Sequence, residues 1–148
     1  MRIYLDHNAT APLRPEARAA MLACLDAPMN PSSAHREGAA ARRCVEDARA
    51  DVAALIGARP AEIVFTSGAT EANNLALRGL VRAPGPILTT AIEHASVLET
   101  ARAVGETCVV GVDNDGHLDI DAVLAAAGQG ATLASIGLAN GEDRKSVV

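Results

Sequence analysis

The stretch EIVFTSGATEANNLALRGL, from Glu62 to Leu80, constrains this chain more than any other. An apolar run, Ile63-Val64-Phe65, halts at Ser67-Gly68, and Leu75, Leu77 and Leu80 then recur at helical spacing. A strand feeding a helix through a glycine turn is half of a crossover unit, and the same geometry aims helix-start amides at an anion. Such a helix leaves the amides of Ala69, Thr70 and Glu71 without intrahelical acceptors, and the hydroxyls of Ser67 and Thr70 can add to them. Gly68 is expected to bend sharply and admit a ligand closely. The turn matches neither GxxxxGKS/T nor GxGxxG. On these four residues alone, an ordinary strand-to-helix turn with Thr70 as N-cap is the simpler reading.

The rest of the chain repeats the alternation. A helix is expected over Arg14–Ala27, with Pro15 in its first turn and Ala17, Ala20, Met21, Cys24 and Leu25 on one stripe. Pro28 and Pro31 break the chain before a long helix from about Ser33 to Ile56. Val45, Ala48, Val52, Leu55 and Ile56 form its expected buried face, and Gly57 is placed to end it. Strands are expected at Ala61–Thr66, Pro86–Thr90, Thr107–Val112 and Ala131–Ala139, with helices at Thr70–Arg82, His94–Val104 and Ile120–Ala127. Asp119 caps the last helix after a turn at Asp113–His117. This order predicts an α/β fold with a parallel-rich sheet and helices on both faces. Ligands of such sheets sit at the carboxyl ends of strands, and the Ser67–Thr70 turn is such an end.

Composition narrows the function classes. At 148 residues the chain suits one modest domain, and at 49% hydrophobic it can bury a core, built of Ala, Leu, Val and Ile because it holds one Phe, one Tyr and no Trp. The net charge of −5 and the lack of a basic stretch speak against nucleic acid. No apolar run approaches the roughly 20 residues of a membrane span, and the N-terminus turns acidic too soon for a signal peptide. Cys24, Cys44 and Cys108 lack CxxC spacing and are odd in number. That argues against a disulfide framework or zinc site, suits a reducing cytoplasm, and makes each a small buried apolar residue.

Six segments in order then resemble one family: YLDHNATAP (Tyr4–Pro12), NPSSAHREG (Asn30–Gly38), EIVFTSGATEANNLAL (Glu62–Leu77), TAIEHASVLET (Thr90–Thr100), NDGHLDIDAV (Asn114–Val123) and ASIGLANGE (Ala134–Glu142). Together they resemble the N-terminal part of cysteine desulfurases, in the class V aminotransferase group of pyridoxal 5'-phosphate (PLP) enzymes. The resemblance implies a partial PLP-transferase-like large domain at 14–140, preceded by an N-terminal arm at 1–13 and followed by a non-matching charged tail at 141–148. It implies PLP as cofactor, its phosphate bound by Ala69 and Thr70, and His94 stacked on the pyridine ring and moving protons. A flat imidazole that titrates near neutral pH suits both roles; without the resemblance, His94 reads as a solvent-facing helix-start residue. Asn30–Ser33 is implied to lie near the active site; its bottom-up reading is a proline-broken connection capped by Ser32 or Ser33. The implied activity is removal of sulfur from L-cysteine, giving alanine and an enzyme persulfide for iron–sulfur or thiolation pathways, in a cytoplasmic homodimer that serves a sulfur-acceptor protein. No nucleic acid or membrane partner is implied. Other class V activities, such as selenocysteine lyase or aminotransferase, and a non-catalytic phosphate- or PLP-binding module stay open.

The chain also departs from the pattern. The family's Schiff-base lysine lies in a stretch resembling SGHK, which is absent here. Lys145, the one lysine, stands in GEDRKSVV, which reads as a solvated tail. The family's aspartate that pairs with the pyridine nitrogen and its sulfur-accepting cysteine loop have no match. Gly141 replaces the second Asn of the family's Asn-Asn-Glu, removing a contact to the cofactor's phenolic oxygen. These departures imply a fragment that is inactive alone. His7, His35 and His117 lack HxxxH spacing and are given no metal role.

Overall fold

Ile87-Leu88-Thr89-Thr90 forms β1 (Ile87–Thr90), and all four side chains are buried. A strand buried on both faces needs helices over it and strands beside it. The computed structural model, which describes residues 3–5, 7, 10–25 and 30–138, supplies both. β2 (Thr107–Val110) and β3 (Leu133–Ser135) flank β1 in parallel, giving the order β2-β1-β3. Ile87 pairs with Thr107 on one side and Leu133 on the other. The chain returns from β1 to β2 through α4 (Ala95–Val104) and from β2 to β3 through α5 (Ile120–Ala127), the crossover connections that parallel pairing demands. α3 (Ala69–Leu80) precedes β1, and Leu77 from α3 and Val97 and Ala101 from α4 close a core over Ile87. The entrances of β1 and β3 are tied together: Thr132 N–H donates to the Pro86 carbonyl at 3.0 Å. Gly85 sits beside that bond at φ 142°, and a Cβ there would meet Thr132 Cγ2 at 2.5 Å.

These elements belong to one of two compact units, Thr66–Val148; the other is Met1–Phe65. In the Met1–Phe65 unit α1 (Pro15–Leu25) starts with proline at its first position and buries none of its residues. α2 (Arg36–Ile56) is capped by His35, whose ring accepts the Gly38 N–H, so Ser32 and Ser33 are not its caps. Asn30 organises the proline-broken connection: its side chain accepts the Ser32 N–H and its carbonyl accepts the Ser33 N–H. Gly57 ends α2 as expected, in the left-handed region at φ 68°. Among the described residues no helix is long and apolar enough to cross a membrane.

The α/β class and the parallel pairing are as the sequence predicts, and Asp119 caps α5 by accepting the Ala122 N–H at 3.1 Å. Three further expectations fail. The strand expected at Ala61–Thr66 is a 3-10 turn at Pro60–Glu62, followed by Ile63 in extended conformation and residues 64–66 outside any ladder. The Ile63 carbonyl is taken by the Arg49 guanidinium at 2.6 Å, and strand propensity forms no ladder without a partner edge. The apolar stripe of α2 is open, Leu55 being 84% exposed, while Gly38, Ala41 and Ala53 are the buried positions. Cys24 is exposed and Cys44 and Cys108 are half-buried, so none is a core residue.

One buried group in β1 lacks a partner, the Thr89 hydroxyl. An unpaired buried hydroxyl costs about 1–3 kcal/mol relative to an apolar group of the same shape. Thr89→Val is therefore expected to raise unfolding free energy by about 1 kcal/mol in denaturant titration. A loss of stability would mean the hydroxyl is satisfied.

Candidate functional site

Two helix starts build the site. In α3 the first intrahelical bond runs from Ala72 N–H to the Gly68 carbonyl, at 3.1 Å. The amides of Ala69, Thr70 and Glu71 therefore precede the first available helical acceptor. Gly68 is the N-cap and offers no side chain to them. Thr70 lies at the second helical position, inside the helix, so the reading of Thr70 as N-cap is corrected. Gly68 is extended, with φ 164°, and a Cβ there would meet nothing within 4 Å. The expected sharp bend is thus absent, and what glycine contributes is an uncovered approach to three amides. Ser67 to Thr70 are all exposed.

Glu71 completes this turn. Its carboxylate accepts the Ser67 N–H at 2.6 Å, while the Thr66 hydroxyl donates to the Gly68 carbonyl at 3.0 Å. Hydrogen bonding from the Ser67 hydroxyl and amide holds the Glu71 carboxyl below its ordinary value of 4.5. An anion in the first turn also suits the helix dipole.

The second start is that of α4, four residues past the end of β1, where His94 is the N-cap. Its Nδ1 accepts the Ser96 N–H at 3.0 Å and lies 2.8 Å from the Ser96 hydroxyl. With Nδ1 an acceptor, the neutral ring carries its proton on Nε2. The Ser96 hydroxyl also receives the Asn73 side-chain amide at 2.8 Å. Asn73, Ser96 and His94 thus form a continuous chain that joins α3, one turn in from its start, to the first turn of α4. Ala69, Thr70 and His94 occupy these neighbouring starts. His35 caps α2, and His117 lies in the turn after β2, where its N–H donates to Asp113. Asn140, Gly141, Glu142 and Lys145 lie outside the described residues.

Glu93 is the residue that sequence reasoning passed over. Its Oε1 accepts from the Thr90 hydroxyl at 3.2 Å and from the Gly137 N–H at 2.5 Å. One carboxylate thereby stitches the carboxyl end of β1 to the segment leaving β3. The signal was an acid directly before the singled-out histidine; the Gly137 partner, 44 residues away, had no local signature. Asn73 and Ser96 were equally silent, being common polar residues at helix-start positions.

The aminotransferase class-V profile matches residues 3–142. The chain belongs to the class-V aminotransferase family. Within that family it is similar to a cysteine desulfurase of Frankia sp. (strain EuIK1), 43% identical over 95% of this chain and 38% of that protein. A mitosomal cysteine desulfurase of Encephalitozoon cuniculi (strain GB-M1) is 42% identical over 95% of this chain and 35% of that protein. The crystal structure of a NifS-like protein from Rickettsia africae superposes with a TM-score of 0.81 at 33% identity, covering 93% of this chain and 40% of that one. This class-V chain therefore spans about two fifths of the length of those relatives.

Two outcomes follow from the hydrogen bonds. Because the Glu71 carboxyl is lowered in the folded state, its contribution to stability is present above its ordinary value and is lost as pH falls through the folded one. The thermal midpoint of the wild type is expected to fall toward that of Glu71→Gln as pH drops below the ordinary carboxyl value of 4.5, the two differing most at neutral pH. A pH-independent gap would show that the charge of Glu71 is not what acts. Glu93→Ala is expected to speed hydrogen exchange of the Gly137 amide by about tenfold, the equivalent of 1.4 kcal/mol, with Glu93→Gln in between because its amide oxygen still accepts. Unchanged exchange in Glu93→Ala would remove the stitch.

Proposed function

We propose that this chain is the phosphate- and ring-holding part of the large domain of a PLP-dependent cysteine desulfurase, with residues 14–140 as its share of that domain. The observation that supports it most is the pair of neighbouring helix starts, one with open amides and one with a histidine of fixed tautomer. These fit the two ends of PLP. The amides of Ala69 and Thr70, with the Thr70 hydroxyl, suit a phosphate dianion at a helix N-terminus. The imidazole of His94 suits a flat aromatic ring, and its Nε2 is the atom at which it holds or moves a proton. The Ser96 N–H occupies Nδ1, so protonation at Nδ1 would have to break the cap of α4. Asn73 orients Ser96, and Glu93 fixes the strand end from which His94 departs.

When bound, PLP supplies an electron sink for bond cleavage at the amino acid. The chain's own residues bind and orient it. No segment of the 148 residues matches the Schiff-base lysine, the partner of the pyridine nitrogen or the sulfur-accepting cysteine loop. The part proposed for these 148 residues is accordingly to bind and orient the cofactor. L-cysteine as substrate, a homodimer with a sulfur-acceptor protein and a cytoplasmic setting belong to the same reading of the full-length enzymes.

Paired titrations of inorganic phosphate and PLP, followed by amide chemical shifts, test this. Ala69→Pro removes one donor at the first helical position, where proline preserves the helix. It is expected to weaken both ligands about tenfold or more, as loss of one charge-assisted bond implies. His94→Ala is expected to weaken PLP by about two- to tenfold through lost stacking and to leave phosphate unchanged. Equal losses for the two ligands in His94→Ala, or no loss in Ala69→Pro, would overturn the assignment.

A further inference from the structure

Cys24 on α1 and Cys44 on α2 approach to 3.5 Å between their sulfurs. The two thiols come from separate helices, 20 residues apart, and are hydrogen-bonded to each other. α1 has little else to hold it: none of its residues is buried, and Met21, Leu22 and Leu25 are exposed. Cys24 is exposed, open to a small reagent, and Cys44 stands half-buried behind it. We propose that Cys24 and Cys44 are a site of reversible oxidation, closing into an intramolecular disulfide that fastens α1 to α2.

The sulfurs must come about 1.5 Å closer to reach a bond length of about 2.05 Å. The oxidant is a low-molecular-weight disulfide. The Cys24 thiolate attacks one of its sulfurs, the reagent's S–S bond breaks, and one small thiolate leaves. Cys44 then loses its proton to water, attacks Cys24 Sγ and expels the second small thiolate. Two electrons pass from the protein to the reagent, and the two released thiolates take up the two protons. The order is set by the pair itself: hydrogen bonding and the charge of Cys24 raise the Cys44 thiol above its ordinary value, so Cys44 keeps its proton while Cys24 acts. Closing this loop restricts the unfolded chain and ties down a helix that packing holds weakly. Thiol reductants reverse each step. Cys108, on β2, has no part in it.

The test uses the full chain with oxidised glutathione near neutral pH, mapped by non-reducing peptide mass spectrometry. The expected main product is a Cys24–Cys44 linked peptide, two hydrogens lighter and carrying no glutathione, with Cys108 still free. Alkylation of Cys24 and Cys44 should slow by about tenfold or more on oxidation and recover with dithiothreitol, since a disulfide presents no thiolate. Cys44→Ser should trap glutathione on Cys24. Glutathione retained separately on Cys24 and Cys44 of the wild type, or a linkage that includes Cys108, would overturn the proposal without reliance on any variant.

Discussion

The burial of β1 is the constraint on which the site depends. Ile87 and Leu88 are fully buried, and each such side chain contributes roughly 1.5–3 kcal/mol relative to exposure. Parallel neighbours on both sides leave β1 no freedom of register, because a slip of one residue would turn Ile87 away from Leu77, Val97 and Ala101. A strand fixed in this way delivers its last residue to a defined point. There the Thr90 hydroxyl meets Glu93, and His94 follows as the cap of α4. The orientation of the histidine is thus inherited from a strand that never touches solvent.

Placing two helix starts side by side sets two positive dipole ends against each other. The chain offsets this locally. Glu71 puts a carboxylate into the first turn of α3, and the Asn73–Ser96–His94 chain supplies acceptors at the start of α4. The amides of Ala69 and Thr70 are left over from this arrangement. An anion bound there would meet donors already in position, without paying to reorganise the backbone. Both segments, near 66–74 and 90–97, are short and local, and the Asn73–Ser96 hydrogen bond joins them.

Much of this was legible in the sequence because it is written in short-range chemistry. The caps at Gly57 and Asp119, proline at the start of α1 and the apolar spacing of α3 each concern residues within about a turn of one another. The SGAT turn and His94 were marked by their motifs, and the structure sets them on neighbouring helix starts. What stayed hidden depends on partners far away in the chain. Glu93 finds Gly137 across 44 residues, Asn73 finds Ser96 across 23, and Cys24 meets Cys44 across 20. The cysteines also show the limit of residue averages: cysteine is usually buried, but here the helix carrying Cys24 buries nothing.

The segment Ile63–Phe65 shows why conformation and pairing must be kept apart. Three local locks set the path by which the chain leaves α2. Gly57 turns it through the left-handed region, Glu62 takes both the amide and the guanidinium of Arg59 at 2.8 Å, and Arg49 holds the Ile63 carbonyl. Arg49 also lies 4.9 Å from the centroid of the Phe65 ring, adding a cation–π contact to the same anchor. Its guanidinium is held in turn by Glu46 at 3.0 Å, so the anchoring group is itself oriented from α2. Ile63 is extended as a result, with φ −93° and ψ 126°, and Val64 is 72% exposed. The backbone has the shape that the apolar, β-branched sequence favours, but no described strand lies alongside to make a ladder. The shape of these residues is dictated by their own side chains and those of α2, whereas a strand is a relation between two segments, which no single segment can encode.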